Sequence, residues 1–415
     1  MVAVVIADVA TEGLYEFEWR KFSTSPERLN ELATWLKERE VEEAVMESTA
    51  QYWKPVWETL ERHWQPQRRQ REGAGPEAGK LHLAQAASNR GARGRKNDFK
   101  DAERLVRRLV AEELRLSFVP EPEQRLWRTI TRRKNQLTEQ KVRLQSQLEC
   151  LLEEAHIKLS SLLSDLLGVS GRRILKALAE GENDPTKLAG LADANVRATA
   201  QQLRNALSAS TDLNPVYQRM LKMYLKELAL LEEQMGQLDQ EISALMKDHQ
   251  ETVKRLAEVP GLGVNSAHQI IAEVGVDAAA FPSAKHLASW VGVCPGEEES
   301  AEVSRSSRSP KGNRTMRRVL DQAAHAAVKT KGSIFQAVFH RLRRNLEYQE
   351  AIWGIAHRLC RLIWKILHDH VEYEERGPEI NKKLQKVRTA KMIRTLRKLG
   401  YTVEPKALQA EAASA

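Results

Sequence analysis

The chain has 415 residues, 42% hydrophobic and 29% charged, enough for two or three domains and unlike a disordered composition. Lys and Arg number 65 against 56 acids, a formal charge of +9, which admits a nucleic-acid partner without requiring one. The longest apolar runs are too short to span a bilayer and no basic leader precedes them. The three scattered cysteines (Cys150, Cys294, Cys360) make neither a disulfide framework nor a zinc site, so a reducing cytoplasm and no membrane are expected.

Residues 2–9 and 14–23 read as a strand pair turning at Thr11-Glu12-Gly13. Ser25-Pro26 opens a helix through Arg39, with Leu29, Leu32, Trp35 and Leu36 on one face. A short strand over 42–47 is followed by a helix over 52–64, then by a Pro/Gly/Gln/Arg stretch at 65–79 read as a mobile insertion. Leu81 to Ala86 reads as a strand, 91–96 as a basic glycine loop, and Asp98 begins a helix through Val110. Strands alternating with helices predict an α/β domain with a mixed sheet over 1–118.

From 119 to 256 the pattern is helical. Ile130, Leu137, Leu144 and Leu151 recur every seven residues. Tyr224, Leu228, Leu231, Met235, Leu238, Ile242 and Leu245 alternate steps of four and three, a coiled-coil pattern. Gly168, Pro185 and Pro215 divide the region into four helices, and the two long ones are expected to pack as an antiparallel arm or against another protomer. Residues 257–375 read as a compact helical domain, and 376–415 as a basic helix with a frayed tail.

Several residues could carry chemistry. Glu47 ends a strand, and Asp98 and Asp101 lie one helical turn apart on one face. Such acids can hold Mg²⁺ for phosphoryl transfer. The plainer alternative is that Asp98 caps its helix and Asp101 is a first-turn acid favoured by the helix dipole. Pro260-Gly261-Leu262-Gly263 before an apolar helix resembles a helix-hairpin-helix turn, whose glycines admit a phosphate close to the backbone. Ser300 follows three glutamates, and Arg305, Arg308, Lys311, Asn313 and Arg314 come after it as candidate nucleic-acid contacts. Ser304, Ser306, Ser307 and Ser309 compete with Ser300 for the role of nucleophile, and each also reads as a surface-loop serine.

Taken together, five blocks resemble the insertion-sequence 110 family of bacterial transposases, the DEDD type guided by a bridge RNA. They are M-E-S-T-A-Q-Y-W-K-P-V (46–56), G-R-K-N-D-F-K-D-A (94–102), S-F-V-P (117–120), A-H-I-K-L-S-S-L-L-S-D-L-L-G (155–168), and V-P-G-L-G…W-V-G-V-C-P-G-E-E-E-S-A…K-G-N-R-T-M-R-R (259–318). The resemblance implies a RuvC-like, RNase H-type N-terminal domain, a coiled-coil linker and a C-terminal transposase domain. It implies Mg²⁺ on the acids, with Glu47, Asp98 and Asp101 matching three of four, and Ser300 at the position of a nucleophile that becomes a covalent phosphoserine. Expected partners are element-end and target DNA, a structured guide RNA and further copies of the chain in a dimer or tetramer.

Two departures from the family pattern stand out. The family's opening G-I-D-V-H-K strand, which carries the first acid, has no counterpart, because Met1 falls inside the strand that follows it; Asp8, at the far end of that strand, is not expected to substitute. Ala301 and Ala50 stand where many members have glycine. The expectation is therefore a serine transposase, with a nucleic-acid-binding oligomer lacking strand transfer and a water-using junction nuclease as the alternatives.

Overall fold

In the computed structural model the described residues are 1–11, 14–64, 80–86, 97–294, 298–300, 303–306, 309, 311–375, 377 and 382–399; for 9–11, 14, 298–300, 303–306 and 382–388 the backbone alone is described. The insertion at 65–79, the basic loop at 91–96 and the tail expected to fray lie outside them. The chain divides into two units, Met1–Pro120 and Glu121–Ala415.

The first unit is α/β, as expected. Strands β1 (Val2–Thr11) and β2 (Leu14–Phe22) pair antiparallel, with Val2 opposite Phe22 and Ala7 opposite Phe17. Alternation places Val2, Val4 and Ile6 with Phe22 on one face. That face joins a small core with α1 (Pro26–Glu38), which buries Leu29, Leu32, Ala33, Trp35 and Leu36, and with Val56 and Leu60 of a later helix. Proline at the start of α1 suits a position whose N–H has no intrahelical partner.

Strand β3 (Glu43–Glu47), α2 (Trp53–His63) and β4 (Lys80–Ala84) follow. Helix α3 (Asp98–Val110) comes next, and then β5 (Leu116–Ser117), which the sequence reading did not anticipate. β3 and β4 run parallel, β5 runs antiparallel beside β4, and the order β3-β4-β5 gives a mixed sheet. α3 packs on β1 with little apolar burial, only Leu105 being fully buried. Instead the Arg107 guanidinium lies 4.9 and 5.0 Å from the Tyr15 and Phe17 rings, the Lys21 ammonium 5.1 Å from Phe99, and Trp19 Nε1–H donates to Glu103.

The second unit holds two cores. Helix α4 (Pro122–Glu154) is followed by α5 (Val169–Glu180), α6 (Pro185–Gly190), α7 (Ala200–Ala206) and α8 (Pro215–Leu245). With a short helix at Gln250–Ala257, six α-helices begin between 119 and 256 where four were expected. One of the two additional helices, α7, starts at a capping box of Thr199 and Gln202. α4 and α8 run antiparallel: Lys134 pairs with Asp239, and Lys141, one heptad on, pairs with Glu232, one heptad back. Leu137, Leu144, Leu148 and Leu151 of α4 meet Leu221, Leu228 and Leu231 of α8 in the first core, with α5 and α6 covering it.

The second core is built from α9 (Gln250–Ala257), α10 (Val264–Val274), α11 (Ala284–Val291), α12 (Arg314–Ala327), α13 (Ile334–Leu342) and α14 (Tyr348–His368). α14 buries Ile352, Ile355, Leu359, Ile363 and Ile366 at helical spacing. Trp127 of α4 and Ile242 of α8 also belong to this core, so both long helices run from one core into the other. Between α11 and α12 lies an antiparallel hairpin, β6 (Glu298–Ser300) and β7 (Val303–Ser306), which corrects the all-helical expectation for this region. α15 (Lys382–Lys398) follows as the expected basic helix.

A buried carboxylate joins these parts. The Glu273 side chain, on α10, is fully buried and accepts from Arg132 Nε and Nη2 of α4 at 2.8 and 2.9 Å, and from Asn313 Nδ2 at 2.9 Å. Arg128 of α4 donates to the Ala272 and Glu273 carbonyls, and Gln124 also donates to Ala272. Those carbonyls lie in the last turn of α10, where no intrahelical partner is available. Burial pushes the Glu273 carboxyl up, but the Arg132 hydrogen bonds and the two guanidinium charges outweigh it and leave its pKa below the usual value.

Two stability outcomes follow. Glu273→Ala strands two arginines and is expected to cost about 3–5 kcal/mol in denaturant unfolding, toward the lower end because Arg132 is half exposed. Arg172 and Lys141 hold Glu232 at a pKa of about 2. The stabilisation from this depressed carboxyl is fully present above the ordinary carboxyl value of 4.5 and is lost as pH falls toward 2. Thermal unfolding followed from pH 7 to pH 2 is expected to show that loss, and Glu232→Gln to flatten it.

Candidate catalytic and nucleic-acid site

The three acids lie in the first unit. Glu47 is the last residue of β3, opposite Ala84 at the carboxyl end of the parallel pair, and its Oε1 accepts from the Thr49 hydroxyl at 2.8 Å. Asn97, not Asp98, caps α3: its side chain accepts from the Phe99 and Lys100 amides at 3.1 and 3.4 Å. The capping alternative for Asp98 is thus overturned, because the neighbouring amide already fills that role. Asp98 is exposed in the first helical turn, where the dipole favours an acid. Asp101 pairs with Arg104 at 2.9 Å. The chemistry of the set suits a hard cation, since all three supply carboxylate oxygens. Its convergence does not: among the described residues no group of three His, Cys, Asp or Glu side chains could hold a metal ion. No step is therefore derived through a metal.

Ser300 lies in the second unit, as the last residue of β6 opposite Val303. Ser300 and Val303 are the last pair of that ladder. Backbone pins the base of this segment. The Asn313 amide donates to the Trp290 carbonyl at 3.1 Å, so the chain leaves α11 and re-enters at α12 in one place. Gly312 makes this closure possible, since a Cβ there would lie 2.1 Å from the Val291 carbonyl oxygen. Gly292 ends α11 at φ 77°, a left-handed conformation that favours glycine.

Of the candidate contacts, Lys311 and Arg314 are exposed. Arg305 lies in β7, and Arg308 falls outside the described residues. The Asn313 side chain is engaged at both ends within the fold, accepting from the Met316 amide as the α12 cap and donating to Glu273. The two glycines of the P-G-L-G turn differ. Gly261, at φ 86°, lets the turn press on α12, where a Cβ would meet the Ala323 carbonyl oxygen at 2.2 Å. Gly263 is exposed at the α10 N-terminus with no side-chain cap and nothing near its Cβ position, so it fits a backbone open to a phosphate.

Sequence reasoning passed over a stripe on α14. Arg358, Arg361 and Lys365 are exposed at helical spacing, with no ion-pair partner among the described residues. The available signal was the absence of any acid between Ala351 and His368. Arg317, part of the basic run ending at Arg318, received no role of its own from the sequence.

The two glycine environments give opposite expectations. Gly312→Ala forces backbone apart and is expected to cost about 2 kcal/mol or more in denaturant unfolding. Gly263→Ala meets open space at an extended φ of −128° and is expected to cost no more than about 0.5 kcal/mol.

Comparison with known proteins matches both parts of this arrangement. A family model of DEDD transposases of the IS110 kind matches residues 2–157, which hold the three acids, and the model described as the transposase IS116/IS110/IS902 family matches 253–340, which hold the glycine turn and Ser300. The insertion element IS900 42 kDa protein of Mycobacterium paratuberculosis is 26% identical over 179 residues, covering 43% of this chain and 45% of its own length. The insertion element IS110 43.6 kDa protein of Streptomyces coelicolor is 28% identical over 152 residues, covering 36% and 37%. A probable family 20 transposase of Pseudomonas aeruginosa is 26% identical over 152 residues, covering 36% and 44%. The chain spans less than half the length of these curated relatives in each match. With one model matching 2–157, α4 included, a second of the same family matching 253–340, and relatives from two insertion elements, the chain belongs to the insertion-sequence 110 family of transposases.

Proposed function

We propose that this chain catalyses DNA strand exchange for an insertion sequence, with Ser300 as the nucleophile. The observation that carries the reading is the position of Ser300 at the last pair of a hairpin ladder whose flanking chain is pinned at Trp290 and Asn313, within the segment matched by the transposase model. Ser300 Oγ forms a bond to phosphorus and the bond from phosphorus to one sugar oxygen breaks. The serine proton passes to a base or water, and the departing oxygen gains one. A second sugar hydroxyl then attacks the phosphoserine, rejoining DNA and freeing the serine. Lys311 and Arg314, with Arg305 and Arg308, neutralise nearby phosphates.

The finer family features belong to the same proposal. The first unit is read as an RNase H/RuvC-like domain over 1–118, α4 and α8 as a coiled-coil linker over 119–256, and 257–375 as the transposase domain ahead of the basic helix and tail. A hairpin followed by a parallel pair supports the first of these, and the antiparallel seam supports the second. Mg²⁺ dependence, a structured guide RNA and a dimer or tetramer are carried over from the family. Base pairing with the guide would supply sequence, and the protein would read backbone and shape.

One observation favours a second reading. Glu47, Asp98 and Asp101 are not gathered into a cation site, as suits a protein that binds nucleic acid without exchanging strands. Adduct trapping separates the two. Purified protein is incubated with its element-end DNA, the adjoining non-coding RNA and Mg²⁺, denatured, and inspected for DNA that migrates with protein. A covalent adduct mapped to Ser300, absent in Ser300→Ala with DNA affinity retained, is the expected result. Strand transfer by Ser300→Ala would refute the assignment, and salt-dependent binding with no adduct would establish the second reading.

A further inference from the structure

We infer that Arg317 is a positioning residue that clasps the base of the Ser300 hairpin and sets the direction from which the serine meets its phosphate. The inference rests on the proposed role of Ser300. Arg317 lies on α12, one turn beyond the cap residue Asn313. Its Nη1 donates to the Gly292 carbonyl, on the chain leaving α11. Nη1 and Nη2 both lie 3.3 Å from the Ser309 hydroxyl oxygen, on the chain returning toward α12. One guanidinium thus bridges the outgoing and incoming strands of the segment that bears Ser300.

The guanidinium is itself held. Its carbon sits 4.6 Å from the centre of the Trp353 ring on α14, the helix at the centre of the second core. The ring contact restrains the guanidinium, whose fork addresses two acceptors at once, which a lysine ammonium on a flexible stem cannot do while keeping that contact. The carbonyl of Gly292 is available because α11 ends there in a left-handed turn. Asn313, one turn earlier at the same helix start, ties the same stretch through its backbone amide to Trp290 and its side chain to Glu273. The chain on both sides of the hairpin is therefore tied to α11, α12 and α14, at Gly292 and at Ser309.

A pinned base matters because attack on phosphorus needs the oxygen in line with the leaving group, and a shift of about 1 Å in such a group can cost on the order of 10²-fold in rate. Ser309, a candidate nucleophile from its place in the sequence, receives a different part here: its hydroxyl is the acceptor that ties the returning strand to Arg317.

The test compares Arg317→Ala, Arg317→Lys, Ser309→Ala and Ser309→Thr with the unaltered protein, each as full chain with element-end DNA and RNA. Three readouts are taken: rate of covalent adduct formation, DNA affinity across salt, and amide hydrogen exchange over residues 298–306. For Arg317→Ala the expected result is a fall of about tenfold or more in adduct rate, affinity within about threefold, an unchanged salt slope, and faster exchange in the hairpin than in α12. Arg317→Lys is expected to recover little. Ser309→Ala, at an exposed position with little risk to folding, is expected to show the same pattern more weakly, and Ser309→Thr, which keeps the hydroxyl, to restore it. Unchanged exchange and adduct rate in both alanine variants would overturn the clasp. A loss of affinity in step with rate, with a shallower salt slope, would overturn it too and make Arg317 a phosphate contact. Complete loss of adduct in Ser309→Ala with adduct retained in Ser300→Ala would instead defeat the Ser300 assignment, while the exchange data would still judge the clasp.

Discussion

The second unit turns on one buried carboxylate. Glu273 is buried away from solvent, so it persists as an anion because Arg132, Arg128 and Asn313 surround it. Those partners come from α4 and from the start of α12, two segments nearly two hundred residues apart in sequence. Their attachment to α10 is polar and directional, unlike the leucine seam farther along α4. A leucine seam tolerates small slips; a bidentate arginine facing a carboxylate that also receives an amide does not. The interaction thus sets the register of the long helix against the helical domain, and with it the point where the chain re-enters α12 after the hairpin.

The long helices have two kinds of contact along their length. Near its start α4 contributes Trp127 to the core that supports the hairpin, and from Leu137 onward it supplies the arm's own core. Lys134, paired with Asp239 and bonded to Asn265 of α10, lies between the two. In this unit a displacement of the arm cannot leave α10 unaffected, because α10 shares polar partners with α4 at both ends. The first unit is organised differently. Its core is small, and α3, the helix carrying two of the candidate acids, is seated on its hairpin largely through cation–π and hydrogen-bond contacts. Such contacts contribute less per residue than apolar burial does, so the position of those acids depends less on a packed core than that of Ser300 does.

Local patterns accounted for most elements. The helix from Ser25-Pro26, the strand pair, α3 from Asp98 and the apolar stripe of α14 were all legible because capping chemistry and periodicity act over a few residues. The short pieces were not. β5 has two residues, and β6 and β7 carry, apart from Val303, only charged and small polar side chains with no apolar alternation, so their composition does not mark a strand pair. The capping of α3 was misassigned by one residue because Asn97 and Asp98 are both competent caps, and only backbone geometry decides between them.

The sequence by itself determined that this is an α/β segment joined to helical ones, that two helices carry a continuous apolar seam, and which family the blocks around Glu47, Asp98 and Ser300 resemble. These follow from residue order read over short windows. Tertiary structure alone decided the rest: that Asn313 is tied to Glu273, that Gly261 and Gly312 are there for backbone contact, that Arg317 bridges Gly292 and Ser309 above Trp353, and that the three acids are not gathered into a cation site. Each of these depends on groups distant in the chain meeting at hydrogen-bond or van der Waals range, and such meetings leave no periodic or compositional trace in a single sequence.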